Sequence, residues 1–481
     1  MEPFRGYRRL TRSTSLALLT TLLILIAEWV GLLPDDWMRA VGTGCQVYVL
    51  LRVMRARVSP AYLLLWGPLA WFFPLATALL FFLFGGRKHG DLAAAKREVS
   101  RVAWRLSDEP DFGGNRCRLL GDRHGRDTME ALREQIRGAQ RRISIATYIL
   151  SDDAVGREIV RLLTERAKAG VEVRLLVDAI GSFGIPLRLC RPLSRAGGQV
   201  ARFNPALPTA GKGSANWRNH RKIAVFDGRA AIIGGQNLGL RYMGETPSNR
   251  RFRDCSFLIE GPTAAALECV FIADWCQATD EPPMQFATLL RERSPAVGAA
   301  RVEVIASGPD CEQDPLWEAY VKLFSECRNS ITVVTPYFIP DQTLFTLLAT
   351  AARAGRHVRI MVPRRSDHRL LDFARRWYLR KLREAGAEIL FFKPDVLHAK
   401  LVVVDDAHLV IGSANLDMRS LFLNYEVGAV VRDPAAIAEV NALIAGWEQE
   451  STRYTEDLYR RSRTWLGRMV ETVSHVVAPL L

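Results

Sequence analysis

No Cys-x-x-Cys pair occurs in this chain of 481 residues, and its eight cysteines (45, 117, 190, 255, 269, 276, 311 and 327) do not cluster with histidine at metal-ligand spacing. Their scatter argues against a zinc site and reads as reduced thiols rather than a disulfide scaffold. The basic start (Arg5, Arg8, Arg9, Arg12) and the apolar run behind it are not followed by a small-x-small cleavage site before Pro34-Asp35-Asp36, so a removable signal peptide is disfavoured. No recognisable nucleic-acid-binding motif is present. Charge is lopsided but not concentrated in a tail: the net +14 rests mostly on arginine spread along the chain. That balance favours an anionic partner, nucleic acid or an acidic lipid surface.

Two long apolar runs lie near the N-terminus. Residues 15–33 are interrupted by one charge, Glu28, and residues 61–84 carry Pro68 and Pro74 with Trp66 and Trp71 placed as interfacial anchors. Each is long enough to span a bilayer, so residues 1–90 read as a membrane-anchoring transmembrane hairpin. Two spans put the N-terminus and the remaining chain on one side. Arg39, Arg52, Arg55 and Arg57 in the connecting loop prevent charge from choosing that side. The thiols favour the cytoplasm.

From about residue 92 the pattern becomes that of a soluble α/β protein. Residues 92–106 suggest a short linker helix; RRISIATYIL reads as a buried strand, VGREIVRLLTERAKAG as an amphipathic helix closed by Gly170, and VEVRLLVDA as a strand. The order returns in NSITVVTPYF, TLFTLLATAARAG, HVRIMVP, a helical stretch over 368–385 and AEILFF. This repetition predicts two homologous lobes, 91–290 and 291–481, joined through 282–300.

Each lobe carries His-x-Lys-x-x-x-x-Asp: His220, Lys222 and Asp227 in NHRKIAVFD, and His398, Lys400 and Asp405 in LHAKLVVVD. An asparagine follows each at the same offset, Asn237 in GGQN and Asn415 in GSAN. Residues i and i+2 on an extended strand leave the same face, which sets an imidazole beside a fixed ammonium group. Two such pairs suit chemistry on a phosphodiester. Asp227 and Asp405 have the opposite parity and fall at strand ends, where they are expected to hold hairpin and site geometry rather than touch phosphorus. The small residues Gly235 and Ser413, with Asn237 and Asn415, offer donors to an anion. Asp254 in FRDCS and Glu426 in NYEVG align with one another and can each orient an imidazole from one strand away.

These motifs, with NWRNHRKIAVFDGRAAIIGGQN, TPYFIPD and GSANLDMRSLFLNYEV, resemble the phospholipase D superfamily and, within it, the bacterial cardiolipin synthases of phospholipase D type. One departure is Ser256, at a position where the family pattern carries histidine. The resemblance implies two phospholipase D-like lobes of mixed sheets flanked by helices behind the membrane hairpin, in a multi-pass protein of the inner (plasma) membrane. It implies phosphatidyl transfer between two phosphatidylglycerol molecules, giving cardiolipin and glycerol without a metal or cofactor. His220 would attack phosphorus to form a phosphohistidine, His398 would act as acid and base, and Lys222 and Lys400 would hold the non-bridging oxygens. Asn237, Ser413 and Asn415 would bind substrate; Asp254 and Glu426 would orient the histidines. Phosphatidylglycerol and other anionic phospholipids are the expected partners, with no nucleic acid. A phospholipase D that releases phosphatidic acid, a membrane-anchored nuclease and a catalytically silent lipid-binding protein are the competing readings.

Overall fold

The computed structural model describes residues 35–55, 60–84 and 112–455, apart from 122–123, 184–186, 205–215, 247, 249–250 and 312. The first apolar run (15–33) and the linker helix expected over 92–106 lie outside the described residues.

The second apolar run is not one continuous element. It forms two helices, Pro60–Phe72 and Pro74–Phe84, divided at Phe73 because Pro74 supplies no N–H to continue the ladder. A preceding helix, Asp35–Arg55, packs on both. Among the described residues no helix is long and apolar enough to cross a membrane. Trp66, expected at an interface, is buried with its ring edge-on to Phe81 at 5.1 Å. Trp71, Phe72 and Phe73 are 71%, 72% and 63% exposed.

The remaining chain is built on two large sheets. The first contains β1 (Arg116–Leu120), β2 (Arg142–Thr147), β3 (Glu172–Asp178), β4 (Gln199–Phe203), β5 (Ile223–Phe226), β6 (Ala230–Gly234) and β7 (Ser256–Glu260), in the order β1-β7-β6-β5-β2-β3-β4. Next in the chain come β8 (Arg301–Ser307), β9 (Ser330–Val334), β10 (Phe338–Ile339), β11 (His357–Pro363), β12 (Glu388–Phe392), β13 (Leu401–Val404), β14 (His408–Gly412), β15 (Leu416–Asp417), β16 (Glu426–Arg432) and β17 (Ser451–Arg453). The second sheet runs β17-β12-β11-β9-β13-β14-β16-β8, while β10 and β15 form a separate parallel pair. With β17 set aside, the two orders are the same strand for strand: β2 corresponds to β9, β5 to β13, β6 to β14 and β7 to β16. Both sheets are mixed, with β2-β3-β4 and β9-β11-β12 parallel and the rest antiparallel.

Local chemistry repeats with the topology. Asp153 caps the helix Ala154–Lys168 by accepting from the backbone N–H of Val155 and Gly156, and Asp341 caps Gln342–Arg353 through Thr343 and Leu344. Each helix gives way to a left-handed glycine, Gly170 (φ 88°) and Gly355 (φ 81°).

The inner faces of the two sheets share one apolar core. Ile223, Val225, Ile233 and Phe257 of the first meet Leu401, Val403, Leu409 and Val427 of the second, with residues of the helices Thr263–Thr279 and Pro434–Gln449 completing it. Burying each such side chain stabilises by roughly 1.5–3 kcal/mol. A joint core of this kind fixes the two sheets against each other, so groups facing one another across the seam have little freedom to drift.

Candidate active site

Both His/Lys motifs sit in the extended approach to a central strand, immediately before β5 and β13, at the same end of the seam. Each approach is anchored to the other sheet. The N–H of His220 donates to the Tyr425 carbonyl at 2.9 Å, and that of His398 donates to the Arg253 carbonyl at 2.6 Å. Asn219 bridges in parallel to Tyr425, and Leu397 to Arg253.

This crossing decides which carboxylate serves which imidazole. Nδ1 of His220 stands 3.0 and 3.1 Å from the two oxygens of Glu426, which opens β16 in the second sheet. Nδ1 of His398 stands 2.6 Å from Asp254, just ahead of β7 in the first. Both carboxylates are buried, and each lies within hydrogen-bond distance of the histidine of the opposite sheet. With Nδ1 turned to a carboxylate, Nε2 is the nitrogen left for chemistry; on His398 it lies 3.1 Å from Lys400 Nζ.

The lysines complete one electrostatic unit. Lys222 Nζ donates to the His220 carbonyl at 2.7 Å and lies 5.4 Å over the Tyr148 ring. Lys400 Nζ donates to the His398 carbonyl and stands 2.9 Å from His398 Nδ1. Burial draws Lys222 down to about 7 and Lys400 down to about 8, against the opposing pull of Glu426 and Asp254. Burial also draws both imidazoles down to about 4, Glu426 and Asp254 again pulling the other way. Lys400 contributes to the shift of His220, and Lys222 to that of His398. The two motifs therefore share a single site.

The remaining sequence candidates stand behind this centre. Asp227, at φ 54°, accepts from the N–H groups of Gln140, Arg141 and Arg142 at 2.8–2.9 Å; Asp405, also at φ 54°, accepts from Arg328, Asn329 and Ser330 at 2.7–2.8 Å. Each clamps the chain entering β2 or β9, away from the imidazoles. Asn237 accepts from the N–H of Ile149 at 3.2 Å and hydrogen-bonds Tyr242. Asn415 hydrogen-bonds Asp417, and its Oδ1 is buried without a partner among the described residues. Ser413, expected at the substrate, is wholly buried and donates to Glu426 from behind. Ser256 donates at 2.8 Å to Gln236 Oε1, which also accepts from Thr128 at 2.7 Å. The departure from the family pattern is thus a buried contact one layer from the imidazoles.

Sequence reasoning missed the aromatic walls. The Tyr148 ring lies edge-on to His220 at 5.0 Å, Tyr242 edge-on to His398 at 5.3 Å, and Phe252 stacks on His398 at 5.5 Å. Such walls exclude water and deepen the burial that shifts the histidines and lysines. A signal existed for one of them: Tyr148 follows β2 and Tyr337 follows β9, but Tyr337 turns its hydroxyl to Asp367. A cavity of about 860 Å³ lies elsewhere; Arg221, Asp310, Glu318, Lys322, His408 and Arg432 are among its lining residues, and neither motif histidine is. Charge-bearing groups, not cavity size, locate the chemistry. No cluster of three or more metal-ligating side chains is found among the described residues, and none of the eight cysteines is in a disulfide.

Fold and site together define a phospholipase D-like α/β protein with a duplicated histidine–lysine centre. The family model described as "Cardiolipin synthase, PLD-like domain" matches residues 132–275 and 320–446, and the chain belongs to that family. It is similar to cardiolipin synthase A of Pseudomonas aeruginosa (35% identity over 396 residues, covering 81% of this chain and 79% of the relative). It is also similar to the major cardiolipin synthase of Bacillus subtilis (33% over 360 residues, 74% of each). Among solved structures, phosphatidylserine synthase of Haemophilus influenzae shares the fold, with a TM-score of 0.58, 17% identity, and coverage of 76% of this chain and 95% of that one.

Proposed function

We propose that this protein is a phosphatidyltransferase that joins two phosphatidylglycerol molecules into cardiolipin and glycerol, as the names of its relatives indicate. The observation that carries the reading is the crosswise pairing of His220 with Glu426 and His398 with Asp254 around two buried lysines. Nε2 of neutral His220 attacks phosphorus, and His398 gives a proton to the departing glycerol oxygen. The hydroxyl of the second phosphatidylglycerol then attacks the phosphatidyl-histidine; its proton passes to His398 as the phosphorus–nitrogen bond breaks. Lys222 and Lys400 offset charge on the non-bridging oxygens throughout, and Asn237 and Asn415 border the head group. Asp227 and Asp405 hold the two motif strands in place.

Both substrates are lipids, so the two homologous lobes work at a bilayer surface, where anionic phosphatidylglycerol is drawn to a basic protein. The apolar run 15–33 and the helices Asp35–Arg55, Pro60–Phe72 and Pro74–Phe84, with Trp71, Phe72 and Phe73 outward, form the membrane-associating end. On this reading the lobes face the cytoplasm from the inner membrane.

The test is to incubate the purified full chain with labelled phosphatidylglycerol in mixed micelles. Cardiolipin with free glycerol is the expected outcome. Phosphatidic acid as the sole product would make the protein a hydrolase, and cleavage of oligonucleotides without lipid turnover would make it a nuclease.

A further inference from the structure

The two half-sites are near copies, yet the transfer needs them to behave differently: one imidazole must attack while the other moves protons. The turn after β6 reads Gly234-Gly235-Gln236-Asn237, and the turn after β14 reads Gly412-Ser413-Ala414-Asn415. Ser413 therefore stands where the other half-site has Gly235.

That one substitution changes what each carboxylate touches. Ser413 is 0% exposed; its hydroxyl donates to Glu426 Oε2 and accepts from the N–H of Val427 at 3.0 Å. Asn424 adds a longer contact, 3.4 Å, to Glu426 Oε1. No hydroxyl can serve Asp254 in the same way. A Cβ built on Gly235 would come within 2.4 Å of Asp254 Oδ1 and 2.8 Å of Oδ2, so the carboxylate itself fills that space. Besides His398, the donor on Asp254 among the described residues is the N–H of Cys255 at 2.8 Å.

We infer that Ser413 is a positioning residue that makes the two histidines unequal: by sharing the negative charge of Glu426 it weakens that carboxylate's hold on the Nδ1 proton of His220. The inference rests on the phosphatidyl-transfer reading above. A hydrogen bond to a carboxylate stabilises its charged form and reduces its affinity for a shared proton. The other groups around the two carboxylates largely match. Glu426 faces His220 and Lys222, with Lys400, Tyr148, Asp417 and Tyr320 in its field. Asp254 faces His398 and Lys400, with Lys222, Tyr242 and Cys255 in its field. Each lysine is held at the carbonyl of its own motif histidine and Lys400 also lies against the His398 ring, but both are long side chains with the rotamer freedom to turn toward a phosphate. Ser413 is locked, so the difference it makes persists through the reaction. A less basic His220 stays neutral for attack and leaves phosphorus more readily when the acceptor oxygen bonds to it, the electron pair returning to Nε2.

The test uses the full chain in phosphatidylglycerol micelles. In Ser413→Ala the acid limb of kcat/KM should move up by about 0.5–1 pH unit, the equivalent of one ordinary hydrogen bond. Samples quenched in denaturant at mildly alkaline pH, where the phosphorus–nitrogen bond survives, should contain several-fold more phosphatidyl-enzyme at steady state, because the second step slows. Ser413→Thr, which keeps the hydroxyl, should restore the wild-type limb, and the near-isosteric Ser413→Cys provides the same readouts if the alanine variant does not fold. A role confined to packing would lower turnover at every pH without moving the limb or raising the intermediate. That pattern, in the alanine or cysteine variant of an enzyme that makes cardiolipin, overturns the inference alone; a wild-type protein that makes none overturns the reading beneath it.

Discussion

Glu426 Oε1 lies 3.0 Å from Nδ1 of His220, a residue 206 positions earlier and on the other sheet, and Asp254 reaches back to His398 in the same way. Each half-site is therefore incomplete without the opposite sheet. Glu426→Gln and Asp254→Asn should each lower kcat by about 10²–10⁴-fold, because an amide no longer fixes the tautomer that frees Nε2. Adding Glu426→Gln to His220→Ala should cost little more than His220→Ala alone, since the pair acts as a unit. Steady-state cardiolipin formation measures both; additive losses would mean that the carboxylate acts elsewhere.

Much of this was legible from the residues. The doubled His/Lys spacing, the alternating strands on either side of it and the helix stop at Gly170 are local signals, and they appear as local structure. The pairing of carboxylates was not, because Asp254 is nearer His220 in sequence while the shared core brings it to His398. Tyr148, Tyr242 and Phe252 were hidden for the same reason: an aromatic side chain carries no mark of which ring it will meet. In the apolar run 61–84 the two prolines announced a break but not where it falls: Pro68 lies inside a helix, while at Phe73 the N–H that Pro74 lacks outweighs continuous composition.

The shifted groups predict a bell-shaped dependence of kcat/KM on pH. Burial holds His220 at about 4, so activity should fall as pH drops through that value and the attacking ring takes up a proton. Burial holds Lys222 at about 7 and Lys400 at about 8, so activity should fall again as pH rises through 7–8 and the ammonium groups lose theirs. In the substrate complex the phosphodiester charge favours every protonated form, so the kcat profile should lie to the alkaline side and supply the protonated His398 that the first step requires. A kcat/KM profile still flat at pH 9, with chemistry limiting, would contradict the assignment of both lysines.

Asp227 and Asp405 belong to the motif, and their carboxylates are taken up by backbone N–H groups rather than by either imidazole. Each accepts three successive backbone N–H groups at the entry to β2 or β9. These amides lie near the surface, so Asp227→Ala should cost only about 1–2 kcal/mol of stability. The amides hold both carboxyls below their usual range even though burial alone would raise them, so this contribution is present above the unfolded carboxyl range and is lost as pH falls through the lower folded one. Turnover per folded molecule should stay within about tenfold of wild type, unlike the histidine variants. Denaturant titration beside single-turnover assays separates the two effects.

Arg221 ties the chemistry to the fold. It is fully buried between His220 and Lys222 in sequence and points the other way. Nη1 donates to Asp274 at 2.6 Å, while Nε and Nη2 donate to the carbonyls of Glu426 and Ser307 at 3.0 Å. It thus holds the backbone of the carboxylate that serves His220. Arg221→Met would leave the buried Asp274 carboxylate with Asn219 but without its guanidinium, at a cost of about 3–5 kcal/mol. Because the Glu426 backbone loses an anchor as well, kcat should fall more than KM rises. Asp274→Leu added to Arg221→Met should recover a large part of the stability, since an apolar pair needs no desolvation of charge, yet leave kcat low because the Glu426 carbonyl still lacks its donor. Recovery of both together in the double variant, measured by denaturation and turnover on one preparation, would show that the ion pair and not the carbonyl contact links Arg221 to catalysis.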